Sequence, residues 1–231
     1  MVKGLQKIQK PLFNYLKDVK IMKVLILTNG EYGNYGFCTN LEQYDYIICA
    51  DHGMCHAKHL GIKPHLIVGD FDSSTVEELA YFEALEVEIL RFNPEKDETD
   101  TEIAIQKAAQ LGAKEVTIYG GLGSRLDHSL ANVHLVYQLL KRGIKGYLIN
   151  PNNKVSVIDE KCVIKGNVGD LVSLIPFSGD VEGVSTKGLA YSLNKATLPM
   201  GTSLGVSNYL IEKKAEITIE KGVLIIIEAN D

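Results

Sequence analysis

Aspartate recurs just beyond strand-length apolar stretches in the N-terminal part of this chain. Asp51 follows residues 46–49, Asp70 and Asp72 follow 66–68, Asp97 and Asp100 come after 87–90, and Asp127 comes after 116–119. Singly, each has a plain structural reading: Asp70 and Asp72 as turn punctuation, Asp97 as help to a helix cap, Asp127 as an acid in a first helical turn. Together they need a further account. Two carboxylates about 4 Å apart repel by roughly 4 kcal/mol at an effective dielectric near 20, so a cluster of several is costly without a cation among them. Hard oxygen donors select Mg²⁺ or Mn²⁺, and Mg²⁺ is usually held by one or two carboxylates together with substrate phosphates. Beside Asp127, Gly120-Gly121-Leu122-Gly123 precedes a helix start, where backbone N–H groups can approach an anion closely. Arg125 adds a bidentate donor. The chemistry these residue types predict is the handling of a metal–polyphosphate complex. The familiar nucleotide signatures are missing: there is no GxxxxGK[ST], Gly121-Leu122-Gly123 lacks the third glycine of GxGxxG, and no protein-kinase set occurs.

For that chemistry the loops must meet at one edge, and open parallel sheets bind ligands beyond the carboxyl ends of their strands. Residues 24–27, 46–49, 66–68, 87–90, 116–119 and 147–149 are, apart from Glu88 and Thr117, apolar rather than alternating, as expected of parallel strands covered on both faces. Helical patterns lie between them. Ser74 with Glu77 predicts a capping box for 76–85; Thr99 with Glu102 predicts another before 103–111, which Gly112 stops. Ser124 is expected to cap 126–142, which Gly143 ends. The alternation predicts an α/β fold with a parallel, doubly wound, Rossmann-like sheet. After Pro151 the pattern changes. Residues 155–157, 171–175, 181–184 and 204–210 read as short strands broken by glycines, 215–220 alternates, and Lys221-Gly222 turns the chain into 223–227. No long helical period remains, which predicts a small antiparallel β-sandwich. The expected organisation is an N-terminal extension over 1–21, in which Pro11 interrupts any helix, an α/β domain over 22–150 and a β-sandwich domain over 151–231.

The composition is that of a globular protein: of 231 residues, 45% are hydrophobic and 23% charged, which excludes wholesale disorder. Lys+Arg 24 against Asp+Glu 29 leaves −5, so no basic field invites nucleic acid or an anionic membrane. No apolar run approaches the roughly 18 residues of a membrane span. Cys38, Cys49, Cys55 and Cys162 form no CxxC pair, and the first twenty residues mix lysines with isolated apolar positions. The expectation is a protein with free thiols in a reducing cytoplasm, without a signal peptide.

Four motifs in order then give the chain a family likeness. Asp70-Phe71-Asp72-Ser73 after Gly69 resembles the VGDFDS segment of thiamin pyrophosphokinases, and Asp97-Glu98-Thr99-Asp100 resembles their D-x-T-D. The stretch Gly120-Gly121-Leu122-Gly123-Ser124-Arg125-Leu126-Asp127-His128 is similar to their GG-x-G-x-R-x-DH, and Gly201-Thr202-Ser203-Leu204-Gly205-Val206-Ser207-Asn208 to their G-[ST]-S-x-G-x-SN. The resemblance implies transfer of diphosphate from ATP to the hydroxyl of thiamine, giving thiamine diphosphate and AMP, by a homodimer that binds thiamine between subunits. It implies Asp70, Asp72 and Asp100 as Mg²⁺ ligands, with Asp97 and Asp127 in support, and leaves Asp100 and Asp127 open as acceptors of the hydroxyl proton. Asn29, Gly30, Asp51, Gly53, Gly121, Arg125 and His128 fall on the ATP side, and Tyr191, Ser203, Ser207 and Asn208 on the thiamine side. Two departures stand out: His52 occupies a position where the family commonly has glycine, and the chain has no tryptophan to stack on thiamine. Competing readings of the same carboxylates are a metal-dependent nucleotide phosphohydrolase and a non-enzymatic thiamine or nucleotide sensor.

One further group carries soft donors. His52, Cys55, His56 and His59 are spaced i, i+3, i+4 and i+7 on one helical face and could bind Zn²⁺. Residues of a single helix cannot surround a metal tetrahedrally, so the spacing favours a solvated or packed helix face.

Overall fold

In the computed structural model, residues 20–72 and 74–230 are described; most of the expected extension over 1–21 lies outside them. Fourteen strands and four α-helices follow one another as β1 (Lys23–Leu27), β2 (Tyr46–Ala50), α1 (Gly53–His59), β3 (Leu66–Gly69), α2 (Val76–Ala84), β4 (Glu88–Arg91), α3 (Asp100–Gln110), β5 (Glu115–Tyr119), α4 (Leu126–Lys141), β6 (Lys145–Ile149), β7 (Asn153–Ile158), β8 (Lys161–Lys165), β9 (Leu171–Pro176), β10 (Val181–Lys187), β11 (Ala196–Leu198), β12 (Asn208–Tyr209), β13 (Lys214–Thr218) and β14 (Leu224–Ala229).

Strands β6-β5-β1-β2-β3-β4 lie side by side and run parallel. The chain therefore starts in the middle at β1, winds outward through β2, β3 and β4, then returns to β5 on the other flank. That reversal, between β1 and β5, is the point where an open α/β sheet leaves a crevice. Val24, Leu25, Ile26 and Leu27 are fully buried, because helices cover both faces. On one face α3 and α4 contribute Ile103, Ala104, Val136 and Leu139; on the other α1 and α2 contribute Met54, Ala57, Leu79 and Phe82. Burying each large aliphatic side chain is worth about 1.5–3 kcal/mol, so this layer supplies most of the drive that sets the strand order.

The parallel sheet does not stop at the expected boundary near residue 150. β6 pairs antiparallel with β7, and β14, β9 and β12 continue the same sheet to ten strands. The link is a tight turn: Asn150 Oδ1 accepts from the backbone N–H groups of Asn152 at 3.1 Å and Asn153 at 2.7 Å. A second, antiparallel sheet of β11-β10-β13-β8 packs over the extension. The layer between them is filled by residues such as Val172, Leu174, Val184, Leu198, Ile217 and Ile226. The mixed fold thus has a large, mostly parallel sheet and a separate antiparallel sheet.

Several local expectations shift. The cap of α2 is Thr75 with Glu78, one residue beyond Ser74 and Glu77; Thr75 has extended backbone angles that aim its hydroxyl at Glu78 N. Thr99 does cap α3 by accepting from Glu102 N at 3.2 Å. Ser124 does not cap α4: Arg125 holds the N-cap position, without a side-chain hydrogen bond. Residues 204–210 are not a strand apart from Asn208–Tyr209, since Gly205 and Ser207 take φ values of +99° and +57°. β8 and β11 had no counterpart in the sequence reading.

Candidate active site

The crevice at the strand reversal is pinned by short-range hydrogen bonds. Thr28 Oγ1, just after β1, donates to Tyr119 O at the end of β5 at 3.0 Å, and the Tyr32 hydroxyl lies 3.2 Å from Thr28 O and 3.1 Å from Tyr119 O. The two loops above them touch backbone to backbone. A Cβ on Gly30 would meet Gly120 O at 1.8 Å, and Gly120 itself takes φ +76°. Only glycine permits that approach. Asn132 Nδ2 donates to Gly121 O at 2.7 Å, and Ser129 Oγ accepts from Gly123 N at 3.1 Å, fixing the glycine turn against α4.

A cleft of about 470 Å³ opens there, lined among others by Asn29, Gly30, Asp51, Asp100, Gly121, Arg125 and His128. Six of the residues assigned by resemblance to ATP therefore surround one space, with Asp100 beside them. Gly53 does not line it: it is buried at the start of α1, where a Cβ would meet Leu27 O at 2.1 Å. The first N–H groups of α4 have no side-chain cap, which leaves donors at a helix N-terminus on the cleft wall.

At the rim, carboxylate oxygens of Asp51, Asp70 and Asp100 lie within 4.8 Å of one another. They come from the ends of β2 and β3 and from the first residue of α3. Lys96 answers part of their charge, with Nζ 3.3 Å from Asp70 Oδ2 and 3.1 Å from Asp100 Oδ1. Burial raises the Asp100 carboxyl above its ordinary range, aided by Asp70 and Asp51 and opposed by Lys96. Asp70 is held below that range, first by the Asp72 N–H and then by Lys96. Burial works against the Lys96 charge, yet its two carboxylate partners raise it overall. Asp51 Oδ1 is buried with no hydrogen-bond partner. An unanswered acceptor in a cluster of like charge fits a hard divalent cation, and the donor set is all oxygen.

The remaining acids are exposed. Asp72 is exposed, and its backbone N–H rather than its carboxylate supports Asp70, donating to Oδ1 at 3.2 Å. Asp97 is exposed in the loop before α3. Asp127 is exposed and paired with Arg125 through contacts of 2.6 Å and 3.2 Å, which holds its carboxyl down at about 2. The His52 side chain does not enter the cleft lining; its Nε2 lies 3.4 Å from Cys55 Sγ. Sequence reasoning missed Lys96, although its i, i+4 spacing to Asp100 was available; Asp51, placed on the ATP side by resemblance, lines the cleft and also lies against Asp70 and Asp100.

In the β-rich half, Tyr191, Ser203 and Asn208 line a shallow groove of about 580 Å³ with Leu193, Thr202 and Leu204. Asn208 is buried and spends its amide on the backbone: Oδ1 accepts from Tyr191 N at 3.0 Å and Tyr209 N at 2.9 Å, and Nδ2 donates to Tyr191 O at 2.9 Å. Ser207 lies beside the groove, its N–H donating to Ser173 Oγ at 3.1 Å.

Comparison with known proteins converges on one family. Residues 37–148 match the model described as thiamin pyrophosphokinase, catalytic domain, and residues 160–224 match thiamin pyrophosphokinase, vitamin B1 binding domain. The thiamine pyrophosphokinase of Bacillus subtilis is 32% identical over 192 residues, covering 82% of this chain and 90% of the relative. The crystal structure of thiamine pyrophosphokinase from Bacillus subtilis superposes with a TM-score of 0.82 at 29% identity, over 90% of this chain and 99% of that one. The thiamin pyrophosphokinase structure from Geobacillus thermodenitrificans gives 0.79 at 26% identity, over 91% and 98%.

Proposed function

This chain belongs to the thiamin pyrophosphokinase family, and from that premise we propose how it carries out the family's reaction. It acts as a thiamine diphosphokinase, with thiamine and ATP as substrates. The proposed chemistry is transfer of diphosphate from ATP to the thiamine hydroxyl, releasing AMP. The observation that carries this reading is the meeting of Asp51, Asp70 and Asp100 within 4.8 Å at the rim of a glycine-walled cleft.

Asp51, Asp70 and Asp100 would hold Mg²⁺, with Asp72 beside them. When bound, that ion neutralises charge on phosphate oxygens. The chain's own contribution is position. Gly30, Gly121 and the first turn of α4, which has no side-chain cap, offer backbone donors to the phosphates, and Asn29 and His128 line the same wall. Arg125 stands at the mouth, where exchanging Asp127 for a phosphate would give it an equivalent bidentate partner. Of the two aspartates offered as proton acceptor, Asp100 lines the cleft and Asp127 does not. Holding donor and acceptor in line supplies most of the acceleration in phosphoryl transfer, so these placements matter more than any single acid or base.

The thiamine side is assigned to the groove of Tyr191, Ser203 and Asn208, with Ser207 alongside. Around it Tyr191, Met200, Leu204, Val206 and Ile211 are exposed, Tyr191 by 66%. Such apolar exposure supports a homodimer in which a second subunit completes the vitamin site. No helix among the described residues is long and apolar enough to cross a membrane. Four unpaired cysteines support a reducing, cytoplasmic setting.

The test is AMP formation from ATP. It should require both thiamine and a divalent cation, and Asp51→Asn should lower kcat by about 100-fold or more while leaving the thermal unfolding profile intact. Phosphate release with no acceptor would instead indicate a phosphohydrolase, and saturable thiamine binding without turnover a sensor.

A further inference from the structure

Beside the oxygen cluster, and outside the reaction described above, a second group of donors is assembled from two helices. His52 precedes α1, Cys55 lies within it, and Glu78 comes from α2; one donor atom of each falls within 4.8 Å of the others. Cys55 Sγ is 3.4 Å from His52 Nε2 and 3.1 Å from Glu78 Oε1, to which its S–H donates. A tetrahedral zinc ion with Zn–N and Zn–O bonds of about 2.0–2.2 Å and a Zn–S bond of about 2.3 Å sets ligand atoms roughly 3.3–3.7 Å apart. The two spacings from Cys55 Sγ, 3.4 Å and 3.1 Å, are close to those edges, and His52 and Glu78 lie within 4.8 Å of each other.

The other histidines on that helical face are engaged elsewhere. His56 stacks on Tyr32 at 3.6 Å and shares a 2.8 Å hydrogen bond with the Tyr35 hydroxyl, while His59 stacks on Tyr35 at 4.1 Å. A single helix cannot enclose a metal, but Glu78 approaches from α2 and supplies the missing direction. Its other oxygen accepts from Thr75 N at 2.9 Å, which orients the carboxylate as outer partners of metal ligands do. With the Cys55 S–H given to Glu78, the 3.4 Å contact has His52 Nε2–H donating to Sγ; His52 Nδ1 is buried with no partner and is free to take that proton when Nε2 turns to a metal.

The geometry points to a site for one Zn²⁺-class cation held by His52 Nε2, Cys55 Sγ and Glu78 Oε1, with a fourth position open to water. Binding exchanges the thiol proton for the metal: the S–H bond breaks, an S–metal bond forms, and one proton leaves to solvent. Since His52 adjoins Asp51 in the chain, such an ion would tie the loop after β2 to α2.

The probe is Co²⁺, added to chelator-treated full-length protein that carries no histidine tag and is saturated with Mg²⁺ to fill the oxygen cluster. The expected result is one Co²⁺ per chain with a thiolate-to-cobalt charge-transfer band, displaced by Zn²⁺. The band should vanish in Cys55→Ser, persist in Asp70→Asn, and need at least about tenfold more Co²⁺ in His52→Gly. Absence of the band in the unaltered chain overturns the site, whatever the variants do. So does a band that survives Cys55→Ser, which would place the cobalt on Cys38, Cys49 or Cys162.

Discussion

Lys96 reaches forward one helical turn to Asp100, its Nζ 3.1 Å from Oδ1, and the same ammonium lies 3.3 Å from Asp70. It is the one cation paired with the oxygen cluster among the described residues. Lys96→Met would leave three carboxylates facing each other. The metal-free protein should lose about 1–3 kcal/mol, between the values for exposed and buried ion pairs. Added Mg²⁺ or Mn²⁺ should raise Tm further in the variant than in the parent, since the cation then meets no competitor. Equal shifts in both would separate Lys96 from the cluster.

Gly30 and Gly120 close the cleft floor with no room for a methyl group. Gly30→Ala must push the two loops apart, costing about 1–3 kcal/mol as overpacking does. The KM for ATP should rise more than the KM for thiamine. Steady-state kinetics with each substrate varied in turn would detect an equal rise, which would detach this floor from nucleotide binding.

Asn208 holds Tyr191 through both sides of its amide. Asn208→Ala leaves part-buried backbone groups of Tyr191 and Tyr209 without their partner, a loss of about 1 kcal/mol. The expected kinetic signature is the converse of Gly30→Ala: weaker thiamine binding by calorimetry, with the ATP analogue bound as before. Unchanged thiamine affinity would place the vitamin elsewhere.

Asp45 anchors the start of β1 by pairing with Lys20 and accepting from Lys23 N at 3.0 Å. The Lys20 side chain, then the Lys23 N–H, lower its carboxyl below the ordinary 3.8. A depressed folded value gives stability that is present above 3.8 and lost as pH falls through the folded value. Asp45→Asn should therefore lower Tm at neutral pH, and the gap should close on acidification below 3.8. A gap that stays constant with pH would show the effect is not electrostatic.

Much of the scaffold could be read in advance because its physics is local. Apolar runs over 24–27 and 116–119, short and β-branched, favour strands buried on both faces, and the aspartates that follow were bound to reach one edge once those strands lay parallel. What local pattern could not carry was adjacency across the sheet. Asp51 joins Asp70 because β2 neighbours β3, and Glu78 meets Cys55 because α2 lies beside α1; both depend on strand order. The one-residue shift from Ser74 to Thr75 turned on which hydroxyl meets an amide three residues on: Thr75 Oγ1 accepts from Glu78 N at 3.2 Å and Glu78 Oε2 accepts from Thr75 N at 2.9 Å. The 204–210 stretch is not a continuous strand because Gly205 and Ser207 turn left-handed, which leaves Leu204 and Val206 exposed while Leu210 stays buried.

The unbroken hydrogen-bond ladder from β6 into β7 also limits how this protein can work. A seam sewn by strand pairing and an asparagine turn behaves as a beam, not a hinge, so the nucleotide end and the vitamin end keep a fixed separation within one chain. On the proposed assignment of the two substrates to the two ends of such a beam, a neighbouring copy laid across it is what brings them together, so turnover per subunit is expected to fall as the protein is diluted.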